Sequence, residues 1–377
     1  MSEENTEAPK ATEIAESMLK RVLEAPCPSC AGKLLYDADT QKITCKYCGY
    51  KEDFDKANDQ VTEKKLDEAI EGSTSYSMSD EGKHVYNCSA CGSKVMLDKG
   101  EVSVRCSFCG SKNVNEEAFE KNYIQPAGII AFKNSVTKAQ EIYKNWIGKG
   151  FFTPKKLQTL SFINNLKGVY IPFWTYDAQT NSHWSGYAGR YYYVTQTRYV
   201  NGKQETYQEQ RTEWIWREGM HSKFFDDVLV SSSIGAPQAD VSKIFPYNLG
   251  EVVNFNPKLL LGWEAEIYNI DVKKGYDTAV SLMNKKIEEE CAQMLRMDTY
   301  KDLRVQTQTS EQTFKHLLLP LWICSYDYKG KVYKFLVNGQ TGKIDGSKPI
   351  DKLKVALVVI LGLIVLSVIL YLYLKYK

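Results

Sequence analysis

Eight of the ten cysteines carry the plainest chemistry in this 377-residue chain. Cys27 and Cys30 form a CPSC knuckle, and after fourteen intervening residues Cys45 and Cys48 form CKYC. The pattern returns as Cys88 and Cys91 (CSAC), again fourteen residues, then Cys106 and Cys109 (CSFC). Each cysteine of the second set lies 61 residues after its counterpart, which marks an internal duplication. Two paired knuckles meeting at one ion are the zinc-ribbon plan, so each set predicts a tetrahedral four-thiolate metal site. Zinc is the first choice, and iron in a rubredoxin-like site uses the same ligands. Four thiolates leave no position for water or substrate, so the expected metals are structural, two Zn2+ ions in all.

Tight turns and short hairpins must position those thiolates. Gly49, Gly92 and Gly110 directly follow a knuckle, where positive φ is required, whereas the first knuckle places Ala31 ahead of Gly32. Strand-like stretches run from Lys33 to Tyr36, Lys42 to Thr44, Lys94 to Leu97 and Val102 to Arg105. The segment from Gln60 to Glu71 reads as a short charged helix, and Gly72 to Gly82 as a flexible linker between the two ribbons. His84 lies near Cys88 but adds nothing to a complete four-cysteine set.

From about Pro126 the chain becomes mixed and globular. A strand, Gly128 to Phe132, leads into a helix opened by Asn134, Ser135 and Thr137, with Val136, Ala139, Ile142, Tyr143 and Trp146 at helical spacing; GVYIPFWTYDA follows from Gly168 to Ala178. The same order recurs downstream: a strand from Ala265 to Ile270, a helix from Tyr276 to Met297, then HLLLPLWICSYDYKG from His316. Pro320 and Trp322 there match Pro172 and Trp174. The expectation is a second, diverged duplication of a strand, helix, strand unit, sharing an antiparallel sheet in an α+β domain. A hairpin turning at Asn201-Gly202 decorates it, polar on both faces, and a second turns at Lys329-Gly330.

Residues 355 to 374 carry no charge, Asn, Gln or Pro over 20 residues. A helix of that length rises about 30 Å, the thickness of a bilayer's hydrocarbon core. Lys352, Lys354, Lys375 and Lys377 flank it, with Tyr371, Tyr373 and Tyr376 at an aromatic-belt position. The chain therefore reads as tail-anchored and single-pass in the cell membrane. The lysine bias before the helix, the acidic opening MSEENTEAPK without an apolar h-region, and the abundant free cysteines place the N-terminal domains in the cytoplasm.

Charge and motifs then narrow the function. Residues 1–125 carry 16 Lys and Arg against 23 Asp and Glu, a net −7 that disfavours polyanion binding, although Lys94, Arg105 and Lys112 offer a local patch. No GxxxxGK[ST], GxSxG, HExxH or GxGxxG occurs, and GQTGK at residues 339–343 reads as a turn. His84, His183, His221 and His316 are isolated from one another, while Cys291 and Cys324 sit in apolar stretches and read as buried and inert. No catalytic residue is assigned, and the chain is read as no enzyme.

Two zinc ribbons, GVYIPFW, LPLWICSYDYKGKVYKFLVNGQTGKIDG and one C-terminal membrane helix together resemble a YdjG-like bacterial membrane protein family. Relatives of that family are often labelled primosomal or phage replication proteins. The resemblance implies a membrane-anchored adaptor in the envelope stress response, with flotillin-like and phage-shock-protein-A-like scaffold partners. The expected organisation is an acidic tail or short helix at 1–25, ribbon 1 at 26–50, a helical linker at 51–86 and ribbon 2 at 87–114, followed by an α+β domain at 115–350 and the transmembrane anchor at 351–377. The function expected is a zinc-ribbon adaptor facing the cytoplasm. The alternative is a membrane-tethered nucleic-acid-binding protein linked to replication.

Overall fold

The structure, a computed structural model, describes residues 26–54, 61–70, 83–98, 106–117, 123–158, 166–200 and 203–376. The helix expected in the first 25 residues, the Gly72 to Gly82 linker, the Val102 to Arg105 strand and the Asn201-Gly202 turn lie outside them.

The strands of the first cysteine unit are β1 (Leu34–Asp37), β2 (Lys42–Cys45) and β3 (Lys51–Glu52), which pair in a three-stranded antiparallel sheet. Next come β4 (Lys64–Lys65) and helix α1 (Leu66–Ile70), so only five described residues of the expected Gln60 to Glu71 helix are helical. The second unit contributes β5 (Lys83–Cys88), β6 (Lys94–Asp98) and β7 (Val114–Glu117).

The body then follows the expected order, with shorter lead-in strands than expected and longer central ones. Strand β8 (Gly128–Ile129) precedes α2 (Val136–Gly148), whose N-cap Ser135 accepts from the Lys138 backbone N–H and whose buried stripe is Ala139, Tyr143 and Ile147. Strands β9 (Lys167–Val200) and β10 (Lys203–Ser231) run 34 and 29 residues, far beyond the hairpin read from sequence. After α3 (Gln238–Val241) and β11 (Val253–Asn254), strand β12 (Glu264–Ile267) leads into α4 (Val272–Leu295), capped by Asp271. Strand β13 (Thr299–Tyr328) spans 30 residues, followed by β14 (Lys331–Asn338), β15 (Ile344–Gly346) and α5 (Lys352–Lys375).

Among the described residues, twelve strands form one sheet. Its spine is the antiparallel pair β9 and β13, which brings the two Pro-x-Trp segments side by side: Tyr170 faces Pro320, Pro172 faces Leu318 and Ile171 faces Leu319. The sheet is mixed, which corrects the purely antiparallel expectation. β8 runs parallel to β13 and β12 parallel to β9, so each short strand leading into a helix pairs with the long strand that does not follow that helix.

Alternation along the spine sends side chains to two faces. Tyr170, Leu318, Trp322 and Cys324 pack with α2 and with Leu34, Tyr36 and Ile43 of the first cysteine unit. Val169, Ile171, Phe173, Leu319 and Leu321 pack on the opposite face with Tyr86, Cys88 and Phe108 of the second. Further along, β9, β10 and β13 continue as a three-stranded arm, covered on one side by α4, whose Ile287, Cys291 and Leu295 bury Trp184 and Ala188. Gly275 lets α4 approach closely, since a Cβ there would stand 2.3 Å from the Tyr176 hydroxyl. The arm's other face leaves Trp214, Trp216, Met220 and Phe224 exposed, with Trp216 edge-on to Tyr187 at 5.0 Å and Lys301 Nζ 4.3 Å from the Trp214 ring.

Candidate metal centres

The knuckles form by one repeated hydrogen-bond scheme. The carbonyl of the leading cysteine accepts from the fourth residue on, as in Cys27 to Ala31, Cys45 to Gly49, Cys88 to Gly92 and Cys106 to Gly110. That residue takes positive φ in all four turns: Gly49 +77°, Gly92 +76°, Gly110 +73° and Ala31 +58°. The first knuckle thus holds an alanine where the others use glycine. Gly32 is needed for a different reason, because a Cβ there would meet the Tyr47 ring at 2.6 Å and the Cys30 and Cys45 sulfurs at 3.3 Å.

The turns bring together every cysteine that the spacing singles out. In the first centre Cys27 and Cys48 Sγ are 3.4 Å apart and Cys30 and Cys45 Sγ 3.6 Å; in the second, Cys88 to Cys109 and Cys91 to Cys106 are both 3.6 Å. Within each centre the four sulfurs lie within 4.8 Å of one another. Metal–sulfur bonds of about 2.3 Å in a tetrahedron put sulfurs about 3.8 Å apart, so both donor sets fit one ion each. All eight are free thiols.

The two centres differ in their surroundings. Cys27 and Cys45 are buried while Cys30 and Cys48 are exposed, so the first centre opens to solvent on one side. The Cys48 backbone N–H draws the Cys45 thiol down to about 7, against the effect of burial. In the second centre Ser93 Oγ stands 3.2 Å from Cys91 Sγ and 3.3 Å from Cys106 Sγ, and the Phe108 N–H points at Cys106 Sγ from 3.4 Å. Hydrogen bonding from Cys91 holds Cys106 at about 4 and pushes Cys91 up in turn, a thiolate ready to accept a cation.

Both centres are tied into the body. From the first unit, the Tyr36 hydroxyl and the Gln41 side chain donate to the Phe132 carbonyl at 3.0 and 2.7 Å, the Trp263 indole donates to the Tyr36 carbonyl at 3.1 Å, and Lys258 pairs with Glu52 at 2.6 Å. From the second, β6 pairs with β12, Ser107 donates to Glu264 at 2.5 Å, and Ser325 donates to the Phe108 carbonyl at 2.7 Å. The flexible joining expected of the ribbons therefore gives way to two units fixed on the same sheet.

Two of the four histidines have structural partners. His316 is buried with Nδ1 2.8 Å from the Ile124 carbonyl, and burial lowers its pKa to about 4. His221 and Lys223 on β10 both hold Glu290 of α4, at 2.9 and 2.5 Å. Cys291 and Cys324 are buried, as read from sequence. The GQTGK turn acts as a staple: Asn338 donates to the Ile244 and Pro246 carbonyls and accepts from the Gln340 and Thr341 backbones, while Gln340 binds both backbone groups of Asn248. Sequence reasoning missed a cluster of Asp177, Asp226 and Asp227, assembled where β10 bulges between Phe225 and Val228. The cation there is Lys315, 2.7 Å from Asp227 and 3.1 Å from Glu63. The signal was weak, because the bulge and a lysine 88 positions beyond Asp227 create it.

Beyond the body, α5 is long and apolar enough to cross a membrane and lies clear of the packed core. The chain is 26% identical over 343 residues to the protein recorded as "Uncharacterized protein YdjG" of Bacillus subtilis (strain 168), covering 89% of this chain and 92% of that one. No family model and no solved structure matches.

Proposed function

We propose that this chain is a membrane-anchored adaptor in which two zinc-filled ribbons brace a β-rich docking body at the cytoplasmic face. The observation that carries this reading is the construction of the metal centres. Each is a complete four-thiolate set whose buried cysteines belong to the packing of the central sheet, one set on each face. A closed thiolate shell has no coordination position for substrate, so its ion contributes folding energy. Zinc suits four thiolates held at tetrahedral spacing.

The α+β body is read as a duplicated strand, helix, strand unit, supported by the matched contacts of Trp174 and Trp322 with the residues ahead of α4 and α2. Helix α5 serves as the anchor, and its flanking lysines favour a cytoplasmic body. The YdjG-like resemblance supplies the cellular setting, an envelope stress response with flotillin-like and phage-shock-protein-A-like scaffolds as partners.

Affinity purification of the full chain from detergent-solubilised membranes, beside a Cys88→Ser/Cys91→Ser variant, tests the reading. Membrane-scaffold proteins recovered with the native chain and lost with the variant are expected, the variant remaining membrane-bound. Nuclease-sensitive recovery of replication proteins that falls steeply with salt would replace it with a tethered nucleic-acid binder.

A further inference from the structure

The loop after α2 carries two phenylalanines where a soluble surface would carry polar residues. Phe151 is 71% exposed and Phe152 39%, their rings edge-to-face at 5.1 Å. The loop is fastened to the start of α5. The Asp351 backbone N–H donates to the Phe152 carbonyl at 2.8 Å, and Lys354 Nζ donates to the Phe151 and Thr153 carbonyls at 3.0 and 2.9 Å. These bonds hold the loop against the first turn of α5, immediately ahead of its apolar run.

Charge around the loop is mainly positive, with Asp351 the acid bonded to it. Residues 144–156 contain Lys144, Lys149, Lys155 and Lys156 and no acid, and all four are exposed. Lys352 adds a fifth exposed ammonium, and Lys348 stacks on Trp146 with Nζ 4.1 Å from the ring centroid. Aromatic side chains beside a polybasic surface suit the headgroup layer of a membrane rich in anionic lipid.

We propose that this loop is a second membrane contact: Phe151 and Phe152 enter the interface beside α5, and the surrounding lysines bind anionic phospholipid headgroups. The inference rests on the reading of α5 as a bilayer-spanning anchor and adds that the body is held at a fixed tilt against the lipid surface. A lone helix would leave the body free to swivel; a helix with an interfacial foothold does not.

Hydrogen–deuterium exchange of the full chain tests it, in detergent, in phosphatidylcholine nanodiscs and in nanodiscs with one quarter phosphatidylglycerol. Amides of residues 149–156 are expected to exchange several-fold more slowly in the anionic nanodiscs than in the other two. The protection should disappear in Phe151→Ser/Phe152→Ser and shrink in Lys155→Glu/Lys156→Glu, both exposed and compatible with folding. Equal exchange in all three media, with the α5 amides protected, would overturn the foothold and leave the anchor standing. Fast exchange throughout α5 in nanodiscs would overturn the anchor and the foothold with it.

Discussion

Trp174 and Trp322 stand in the same relationship to two different helices. The Trp174 indole donates to the Ile270 carbonyl at 2.9 Å and the Trp322 indole to the Asn134 carbonyl at 2.8 Å, each the residue just ahead of a helix N-cap. Each tryptophan reaches from its strand to the start of the helix that does not lead into that strand, so the β9–β13 pair and both helices become one unit. Trp174→Phe and Trp322→Phe each keep a large ring but leave a partly buried carbonyl without its donor. Each is expected to cost roughly 1–3 kcal/mol, read by denaturant unfolding in detergent, with the two losses similar in size. A loss confined to one position would show that the halves are not built alike.

The knuckle glycines differ from Ala31 in backbone cost alone. Ala31 holds φ of +58°, where an alanine pays about 1 kcal/mol, so Ala31→Gly should raise stability by about that much. Gly49→Ala should lower it equally, since a Cβ at Gly49 meets nothing within 4 Å. Chelator titration followed by far-UV circular dichroism reads both, as an opposite displacement of the unfolding midpoint.

Glu266 is buried against the second cysteine unit, and burial raises its carboxyl to about 8, the Ser233 hydroxyl opposing. The folded chain therefore keeps a proton that the unfolded chain releases near 4.5. Stability should fall as pH rises between those values, by about 1.4 kcal/mol per pH unit for this one group. Glu266→Gln has no proton to lose, so its stability should gain on the native chain across that window and run parallel to it above pH 8. Parallel curves throughout would contradict the assignment.

Asn338 binds two carbonyls and two amides with one side chain. Asn338→Ala leaves those groups buried and unpaired and should cost roughly 3 kcal/mol by chemical denaturation. Limited proteolysis should then cut first between residues 242 and 251, the segment that the staple holds.

The two four-cysteine clusters were legible in the sequence because they are local: two CxxC pairs with fourteen residues between them fix their own geometry. Helix α2 was legible for the same reason, through its cap and apolar spacing, and α4 through its apolar spacing, although it starts at Val272, ahead of the expected Tyr276. Strand β13 was not, over its first half. From Thr299 to Thr313 its only aliphatic residues are Leu303 and Val305, and bulges at Lys301/Arg304 and Ser310/Thr313 interrupt the alternation on either side, so the period-2 signal is too short to mark a strand. Its apolar cover comes from α4 and β9, contacts that no short window contains. The crosswise parallel pairing of β8 and β12 is equally non-local. So is the packing of the two cysteine units on opposite faces of one sheet, which made separable ribbons the natural reading of a polar linker.

The most direct test of the account is metal analysis of the purified full chain, combined with X-ray absorption at the metal edge. It predicts two zinc ions per chain, each with four sulfurs at about 2.3 Å and no oxygen or nitrogen neighbour, falling to one ion in Cys88→Ser/Cys91→Ser. Iron in place of zinc, or a shell with an oxygen or nitrogen ligand and an open position, would contradict the closed structural centres on which the adaptor reading stands.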